Sequence, residues 1–243
     1  MPRKSFIGGP TINPPAPIPP GYAQDVGLPY GDRGNGFSYG WYRSGAPVDI
    51  QADGRYRQAA NSPDLRYDTF MHLIKAIPPA DWEIMVPNGD YCVHIVAGDP
   101  ANTDSVFQFD VEGVLTPTVT PNGPGSVFGN FADFTVGAAV TDGLLTIKSG
   151  PNSQTTANNN KIAFVDIYPA TRPTLSIEKI TGGTRLQFAS ENGCSYVIEY
   201  QDVLDSTAPW TTLQSVAGNG AMQTVVDPGT AAARFYRIRL GAQ

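Results

Sequence analysis

Short apolar runs separated by turn signals recur along the whole chain, and this pattern limits the folds that it can adopt. Runs at 105–114, 133–137, 161–168 and 195–201 are rich in β-branched and aromatic residues, and Gly, Asn, Asp or Pro stands between such runs. The 243 residues include 26 Gly and 22 Pro, which also favours strands joined by turns over helices. This regular spacing predicts an all-β protein built as a β-sandwich of the jelly-roll type.

A short linker that contains prolines, "YPATRPTL", divides the pattern at residues 168–175. The runs before it belong to a larger unit, and six further short runs follow it. We therefore expect two domains, a jelly-roll domain over residues 1–169 and a smaller fibronectin-like β-sandwich over residues 174–243. The larger domain begins with an extended Pro-rich N-terminal arm, since each proline removes a hydrogen-bond donor that a central strand would need.

Two stretches of the larger unit carry local predictions. Asn88-Gly89 stands between two β-rich runs and favours the positive φ angles of a tight turn, so the sequence predicts a hairpin there. The second of these runs, 90–98, is apolar on both faces, which is typical of a strand in the middle of its sheet. Residues 64–77 fit both helical spacing and strand alternation, and we interpret them as a strand.

Net charge and hydropathy exclude two classes of partner. The formal net charge is -6, and nucleic-acid binding requires a basic surface, so we expect no nucleic-acid partner. No run approaches the ~20 apolar residues of a membrane-spanning helix, so we expect no membrane span.

The two cysteines, Cys92 and Cys194, each lie inside an apparent strand and outside any CxxC or Cys/His cluster. We expect buried free thiols, and a disulfide between them would require the two halves of the chain to be docked. The chain has only two histidines, His72 and His94, so a multi-histidine metal site is not expected.

The first residues contain Arg and Lys but no apolar segment of the kind found in a signal peptide. Either the protein is cytosolic, or it is exported by a signal outside this sequence. Few charges, many Asn, Thr and Gly residues and almost no predicted helix favour the second alternative. We expect an extracellular or cell-surface protein.

The stretch "YGDRGNGFSYGWYRSG", residues 30–45, combines glycines with aromatic and charged residues. Sugars present flat C–H patches that stack on exposed aromatic rings and hydroxyls that bond polar groups. Tyr39 and Trp41 are candidate stacking surfaces, and Asp32 and Arg33 are candidate hydrogen-bonding partners. In the alternative interpretation, Tyr39 and Trp41 alternate as strand residues do and belong to the core.

A second candidate stretch lies between residues 52 and 68. Tyr56 and Tyr67 are candidate stacking surfaces there, and Arg66 and Asp68 are candidate partners for hydroxyl groups. A solvated layer of salt bridges is the alternative. If the arginines bind ligand, their fixed donor geometry suits the carboxylate or sulfate groups of acidic sugars.

The turn "GDPANTDS" brings three oxygen-bearing side chains together in sequence, Asp99, Asn102 and Asp104. Such ligands suit a structural calcium ion, which we keep as a possible cofactor. Local capping and Asx turns explain the same residues without a metal.

Three segments, 21–41, 60–73 with 82–114, and 158–168, together resemble the malectin-like, galactose-binding-like jelly-roll modules of carbohydrate-active and cell-surface proteins. The resemblance spans most of residues 5–168. It implies a non-catalytic fold that holds sugars with aromatic side chains on loops at one end of the sandwich. An acidic residue precedes the final strand in malectin, whereas this chain has three asparagines, of which Asn160 is the candidate sugar ligand.

The C-terminal runs are similar to short β modules at the ends of secreted bacterial proteins, which act as spacers or attachment units. No H-E-x-x-H, P-loop or G-x-G-x-x-G motif is present, so catalysis is not expected. The sequence therefore predicts a non-catalytic module that binds a polysaccharide or oligosaccharide. The alternatives are a self-associating structural subunit of an extracellular fibre or surface layer and, less favoured, a glycoside-active enzyme.

Overall fold

The computed structural model describes residues 4–8, 16–204, 207–229, 231 and 233–242. Within these ranges, β-strands are joined by turns and by four 3-10 helices, with no α-helix. The prediction of an all-β sandwich is confirmed. Most of the Pro-rich arm, residues 9–15, lies outside the described residues. No helix in the described part of the chain has the length and apolar character needed to cross a membrane.

The strands before the linker form the first sandwich. They are, in chain order, β1 (Lys4–Gly8), β2 (Ala23–Asp25), β3 (Gly31–Asp32), β4 (Ser38–Arg43), β5 (Ala46–Pro47), β6 (Gly54–Tyr56), β7 (Thr69–His72), β8 (Asp81–Met85), β9 (Gly89–Gly98), β10 (Phe109–Val111), β11 (Val114–Leu115), β12 (Ser126–Val127), β13 (Phe131–Val140), β14 (Leu144–Ser149), β15 (Lys161–Ile162) and β16 (Phe164–Ala170). The 3-10 helices are Gln51–Asp53, Leu65–Tyr67, Pro151–Ser153 and Thr156–Asn158.

Two sheets of the first sandwich pack face to face. Sheet A has the order β12-β13-β9-β16-β1-β2, and sheet B has the order β11-β10-β14-β8-β4-β3 with β5 paired to β4. Ile95 of β9 and Ile147 of β14 are fully buried in the core between the sheets, where Phe109 of β10 also meets Phe134 of β13 with ring centroids 5.6 Å apart. Strand β9 lies between β13 and β16, so the prediction that it is central in its sheet is confirmed.

The predicted hairpin at Asn88-Gly89 is wrong, because β8 and β9 belong to different sheets. Strand β8 pairs with β4 and β14, whereas β9 pairs with β13 and β16. Ile84 of β8 and Ile95 of β9 are both buried in the same core, so the turn carries the chain from one sheet to the other. The dipeptide predicted the turn, but burial decided which strands became neighbours.

A small third sheet, sheet C, has the order β15-β7-β6 and lies at the end of the first sandwich where β9 ends. Leu65–Tyr67 forms a 3-10 helix before β7, so the predicted strand over 64–77 is confirmed only for Thr69–His72. Below this end, the outer face of sheet A carries a second apolar cluster. Its buried members are Tyr67, Phe70, Val96, Phe131, Ala163 and Phe164.

The six strands after the linker form the second sandwich. They are β17 (Ser176–Ile180), β18 (Gly183–Ala189), β19 (Ser195–Gln201), β20 (Thr211–Ala217), β21 (Met222–Asp227) and β22 (Phe235–Leu240). Sheet D has the order β17-β18-β21, and sheet E has the order β20-β19-β22. Leu186 and Phe188 of β18 pack with Tyr196 and Ile198 of β19 in the core of this sandwich.

A disulfide bond joins Cys92 of β9 to Cys194, just before β19. The expectation of free thiols is therefore wrong. Cys92 lies on the outer face of sheet A, where it is buried together with the core of the second sandwich. The amide of Gly137 in β13 also donates a hydrogen bond of 2.6 Å to the carbonyl of Gly241. The two sandwiches are thus docked, which is the condition that the disulfide required.

Candidate functional site

The predicted site residues fall at opposite ends of the first sandwich. Asp32 and Arg33 lie at the β3–β4 hairpin, beside the end of β8, because Asp32 pairs with Ser38 and Tyr39 pairs with Ile84. Arg66 and its sequence neighbours lie at the other end, where β9 finishes. The two candidate stretches therefore do not form one site.

Tyr39 and Trp41 are each only 2% exposed, so neither ring can stack on a ligand and both predictions are wrong. Tyr39 donates its hydroxyl to the carbonyl of Gln24 at 2.6 Å. Both side chains belong to the core of the first sandwich. Their alternation in β4 is that of strand residues, and the alternative interpretation as core residues is the correct one.

The two charged residues of this stretch have local structural roles. Arg33 donates from Nη2 to the carbonyls of Leu28 and Pro29, at 3.1 and 2.6 Å. Asp32 is exposed, and its carboxylate accepts a hydrogen bond from the amide of Gly34 within the turn. These contacts hold the hairpin against the neighbouring chain and leave Arg33 few donors for a sugar hydroxyl.

Asp68 and Asn160 are buried and satisfied within the protein, so neither is placed to bind hydroxyl groups. The Asp68 carboxylate accepts from the Ala59 amide at 2.9 Å and from the Ser62 hydroxyl at 2.8 Å. Asn160 has no exposed surface, and its amide donates to the Gln108 carbonyl at 3.0 Å. Their predicted roles are wrong because both hold loops in place. Tyr56 is half-buried on β6.

The predicted calcium ligands do not form a cation site. Asp99 is almost fully buried, and both of its carboxylate oxygens accept hydrogen bonds from Arg57. The ammonium of Lys161 lies 3.7 Å from Asp99 and 3.6 Å from Asp104. Asn102 turns its amide nitrogen toward Asp99, at 2.9 Å. Two protein cations thus occupy the place of a metal, so these residues do not fit calcium.

Elsewhere in the described ranges, no group of three or more His, Cys, Asp or Glu side chains is arranged so that it could hold a metal ion. Burial tends to raise the pKa of the Asp99 carboxyl, but the hydrogen bonds from Arg57, Ala101 and Asn102 and the nearby charge of Lys161 outweigh it, so the pKa is lowered. Asp99 is therefore an ionised structural residue that ties the loop after β9 to the loop after β6.

Arg66 and Tyr67 lie where the end of the first sandwich that carries sheet C meets the outer face of sheet A. The Tyr67 ring meets three phenylalanine rings edge to face, those of Phe128, Phe131 and Phe164, with centroids 5.6, 5.0 and 5.2 Å away. A Cβ at Gly98 would overlap the Phe131 ring, so a residue without a side chain is required there. Tyr67 is only 7% exposed, and it supports its neighbours rather than offering its own face as predicted.

Phe128 is the exposed member of this aromatic group, with 68% of its surface open to solvent. It is the first residue of the three-residue turn between β12 and β13, since Val127 pairs with Phe131. Its φ angle is +49°, in the left-handed region that favours Gly or Asn. A bulky residue there costs about 1–2 kcal/mol. The turn chemistry therefore does not explain why this position carries a phenylalanine.

Arg66 covers the inner part of the aromatic group. Its guanidinium carbon lies 4.9 Å from the centroid of the Phe164 ring and 5.7 Å from that of Tyr67. It also makes a two-point contact with Asp64, in which Nη2 donates at 2.6 Å and Nε at 3.0 Å. The hydrogen bonds that Arg66 donates to Asp64 hold the pKa of the Asp64 carboxyl below its ordinary value.

His94 lies beside the aromatic group in β9 and contacts two aspartates. Its Nε2 lies 2.8 Å from Asp133, and its Nδ1 lies 3.1 Å from Asp166. Burial works against the charged imidazole, but these two hydrogen bonds outweigh it and raise the pKa of His94 to about 9. The imidazole is therefore protonated at neutral pH, and both ring nitrogens act as donors.

Together these side chains form one surface, which we call the corner surface. It consists of Asp64, Arg66, Tyr67, His94, Phe128 and Asp133. Of the residues predicted from the sequence, only Arg66 and Tyr67 belong to it. The aromatic residue in the Gly-, Pro- and Asn-rich stretch 116–130 was the signal that could have identified Phe128. The outward position of His94 in an otherwise apolar strand was the corresponding signal for the histidine.

No family model and no curated protein matches the chain. Among solved structures, it is similar to the protein YXIM from Bacillus subtilis, with 17% identity, a TM-score of 0.43 and coverage of 70% of this chain and 40% of that one. It is also similar to a chain in the crystal structure of the plant peptide RALF23 in complex with FER and LLG2, with 10% identity, a TM-score of 0.46 and coverage of 100% and 89%.

A further similar structure is that of the plant receptor-like kinase FER, with 11% identity, a TM-score of 0.43 and coverage of 76% of this chain and 47% of that one. The chain thus spans less than half the length of the first and third of these structures.

Proposed function

We propose that this protein is an extracellular, non-catalytic carbohydrate-binding module whose ligand lies on the corner surface. The observation that supports this most directly is Phe128, a large aromatic side chain that is 68% exposed in a turn position unfavourable for it. A ring that is neither buried nor favoured by the local backbone has a reason to be there if a ligand covers it.

The ring and its surroundings supply the two kinds of contact that a sugar needs. Phe128 offers an apolar face for the C–H patch of a pyranose ring, and Tyr67 supports it from the side. Asp64 and Asp133 provide carboxylate oxygens for hydroxyl donors, because their side chains are 43% and 39% exposed. Their contacts with Arg66 and His94 fix their positions before the ligand arrives.

The state of His94 supports a binding role over a catalytic one. A general base must be unprotonated at the operating pH, and a pKa of about 9 keeps this imidazole charged at neutral pH. Its two aspartate partners act on the same ring, so the group is a fixed ion cluster rather than a proton acceptor. The disulfide between the sandwiches supports an oxidising, extracellular setting.

The test removes the ring without harming the fold. Phe128→Gly takes away the aromatic side chain and places glycine where φ is positive, so we expect unchanged or higher thermal stability. On a glycan array and on affinity gels, this variant should bind about tenfold more weakly than the wild type. Phe128→Trp should retain binding. The matched control is Met85→Ala, which removes another exposed apolar side chain, at the end of the first sandwich opposite the corner surface.

Three results would overturn the proposal. Unchanged glycan binding by a folded Phe128→Gly protein would show that the ligand lies elsewhere. If the wild type bound no glycan on the array and assembled in a concentration-dependent way in sedimentation experiments, these results would favour the structural subunit of a fibre or surface layer. Release of reducing ends from a bound polysaccharide would indicate a glycoside-active enzyme instead.

A further inference from the structure

We propose that the corner surface selects ligands that carry a positively charged group, such as polysaccharides of unacylated amino sugars. This inference rests on the proposed carbohydrate-binding function and adds the chemical class of the ligand. The balance of charge around Phe128 and the solvent exposure of each charged group support it.

The carboxylates of the corner surface are more exposed than the cations that pair with them. Asp64 and Asp133 have 43% and 39% of their side-chain surface exposed, whereas Arg66 and His94 have 33% and 22%. Asp166, 2% exposed, adds a third carboxylate behind His94. Three carboxylates face two cations, so the surface that a ligand meets is negative.

The pKa of the Tyr67 hydroxyl, within the aromatic group, is shifted by the same balance of charge. Burial raises the pKa of its hydroxyl, and the charges of Asp133, Asp64 and Asp166 raise it further, while Arg66 alone among these groups opposes them. The hydroxyl of the residue that supports Phe128 thus lies in a field that disfavours a second negative charge. An anionic ligand on the Phe128 ring would meet the same field.

The arrangement also argues against acidic sugars, the ligand class that the arginines suggested at first. The Nε and Nη2 donors of Arg66 both bond to Asp64, so the paired face of the guanidinium that would grip a carboxylate or sulfate is already occupied. Both ring nitrogens of His94 are likewise taken by Asp133 and Asp166. An acidic sugar would therefore gain no free cation here.

An ammonium group suits this surface for two independent reasons. An exposed aromatic face attracts a cation through its quadrupole, and Phe128 offers such a face. Asp133 lies two residues beyond Phe131 on β13, on the same outer face, and supplies an exposed carboxylate there. A primary amine can donate to the carboxylate while its sugar ring covers the aromatic face. The formal net charge of -6 also favours approach of a cationic polymer.

The experiment compares three oligosaccharides of equal length by isothermal titration at a pH below the amine pKa. They are glucosamine oligomers, their N-acetylated counterparts and galacturonic acid oligomers. We expect the glucosamine oligomers to bind most tightly and to weaken as salt is added, and the galacturonic acid oligomers not to bind. Asp133→Asn should weaken glucosamine binding about threefold to tenfold and should weaken binding of the N-acetylated oligomers less, because only the glucosamine oligomers lose a charged partner.

The matched control is Asp32→Asn, because Asp32 is an exposed aspartate at the opposite end of the first sandwich. The amide oxygen of the introduced asparagine can still accept the hydrogen bond from Gly34. This variant should leave all three affinities unchanged, and Asp133→Glu should restore binding of the glucosamine oligomers. Equal binding of the acetylated and free oligomers, with both lost in Phe128→Gly, would overturn the inference and keep the proposed function. Binding of any oligomer that Phe128→Gly does not weaken would overturn the proposed function itself.

Discussion

Trp41 donates its indole N–H to the carboxylate of Asp25 at 3.0 Å, in the interior of the first sandwich. Trp82 donates to the other oxygen of the same carboxylate at 2.5 Å, and the amide of Gly27 donates at 2.7 Å. One buried acid therefore joins β2 to β4 and β8. Burial raises the pKa of the Asp25 carboxyl, although these three donors work in the opposite direction.

Asp25→Ala should lower the free energy of unfolding by about 2–4 kcal/mol, because it leaves two indole N–H groups without an acceptor in the core. Urea titration followed by tryptophan fluorescence measures the change directly. Asp32→Ala, in an exposed turn, is the control and should cost less than about 1 kcal/mol. Equal losses in the two variants would mean that the hydrogen bonds of Asp25 contribute no net stability.

The disulfide between Cys92 and Cys194 closes a loop with a sequence separation of 102 residues. Replacing both cysteines by serine should lower the stability by about 2–4 kcal/mol, since the unfolded chain regains the freedom that the bond removed. Thermal unfolding with and without a thiol reductant tests this. We expect the wild type to melt at a lower temperature in reductant, and the double variant to be insensitive to it. If reductant did not lower the melting temperature of the wild type, this result would contradict the disulfide bond.

His94 should make the stability depend on pH above neutrality. Its pKa is raised from 6.5 to about 9 in the folded protein, so the folded state binds the proton more tightly than the unfolded state does. The contribution is complete below pH 6.5 and is lost as the pH rises through 9, with an upper bound of roughly 3 kcal/mol. Urea titrations across this range should show the decline, and His94→Gln should flatten it. A wild-type curve as flat as that of the variant would contradict the assignment.

Asp99 should contribute to the folding stability, and calcium should not change that stability. Asp99→Asn leaves Arg57 without the charge that compensates it and leaves the fully buried Lys161 with Asp104 as its acidic partner, which we expect to cost about 3 kcal/mol. Because the folded pKa of Asp99 is lowered, its contribution is present above the unfolded pKa and disappears as the pH falls through the folded value. A chelator should leave the wild-type melting temperature unchanged, and a decrease would restore the calcium hypothesis.

The sequence predicted the all-β class because strand alternation and turn chemistry are local properties. The closing strand shows this, since Tyr236, Ile238 and Leu240 all pack against the core of the second sandwich. Pairing between strands is not local. The turn at Asn88-Gly89 has the composition of a hairpin, yet its flanking strands bury side chains in one core from two different sheets.

The candidate site was predicted only in part for a similar reason. Tyr39 and Trp41 have the residue types of a sugar-binding loop, and only their burial at 2% exposure shows that they are core residues. Arg66 and Tyr67 were identified, but Phe128 and Asp133 come from another strand pair and meet them through tertiary packing. A single sequence gives no indication of that meeting.

The bond between Cys92 and Cys194 also has a mechanical consequence. When tension is applied to the chain on either side of this pair, the force passes through the sulfur atoms and bypasses the segment between them. That segment, with its sequence separation of 102, would otherwise add roughly 350 Å of extended chain once unfolded. It contains Phe128, Asp133 and His94, so half of the corner surface is shielded from pulling forces while the disulfide is intact. Under load, this segment should add no length to the chain until the disulfide is broken.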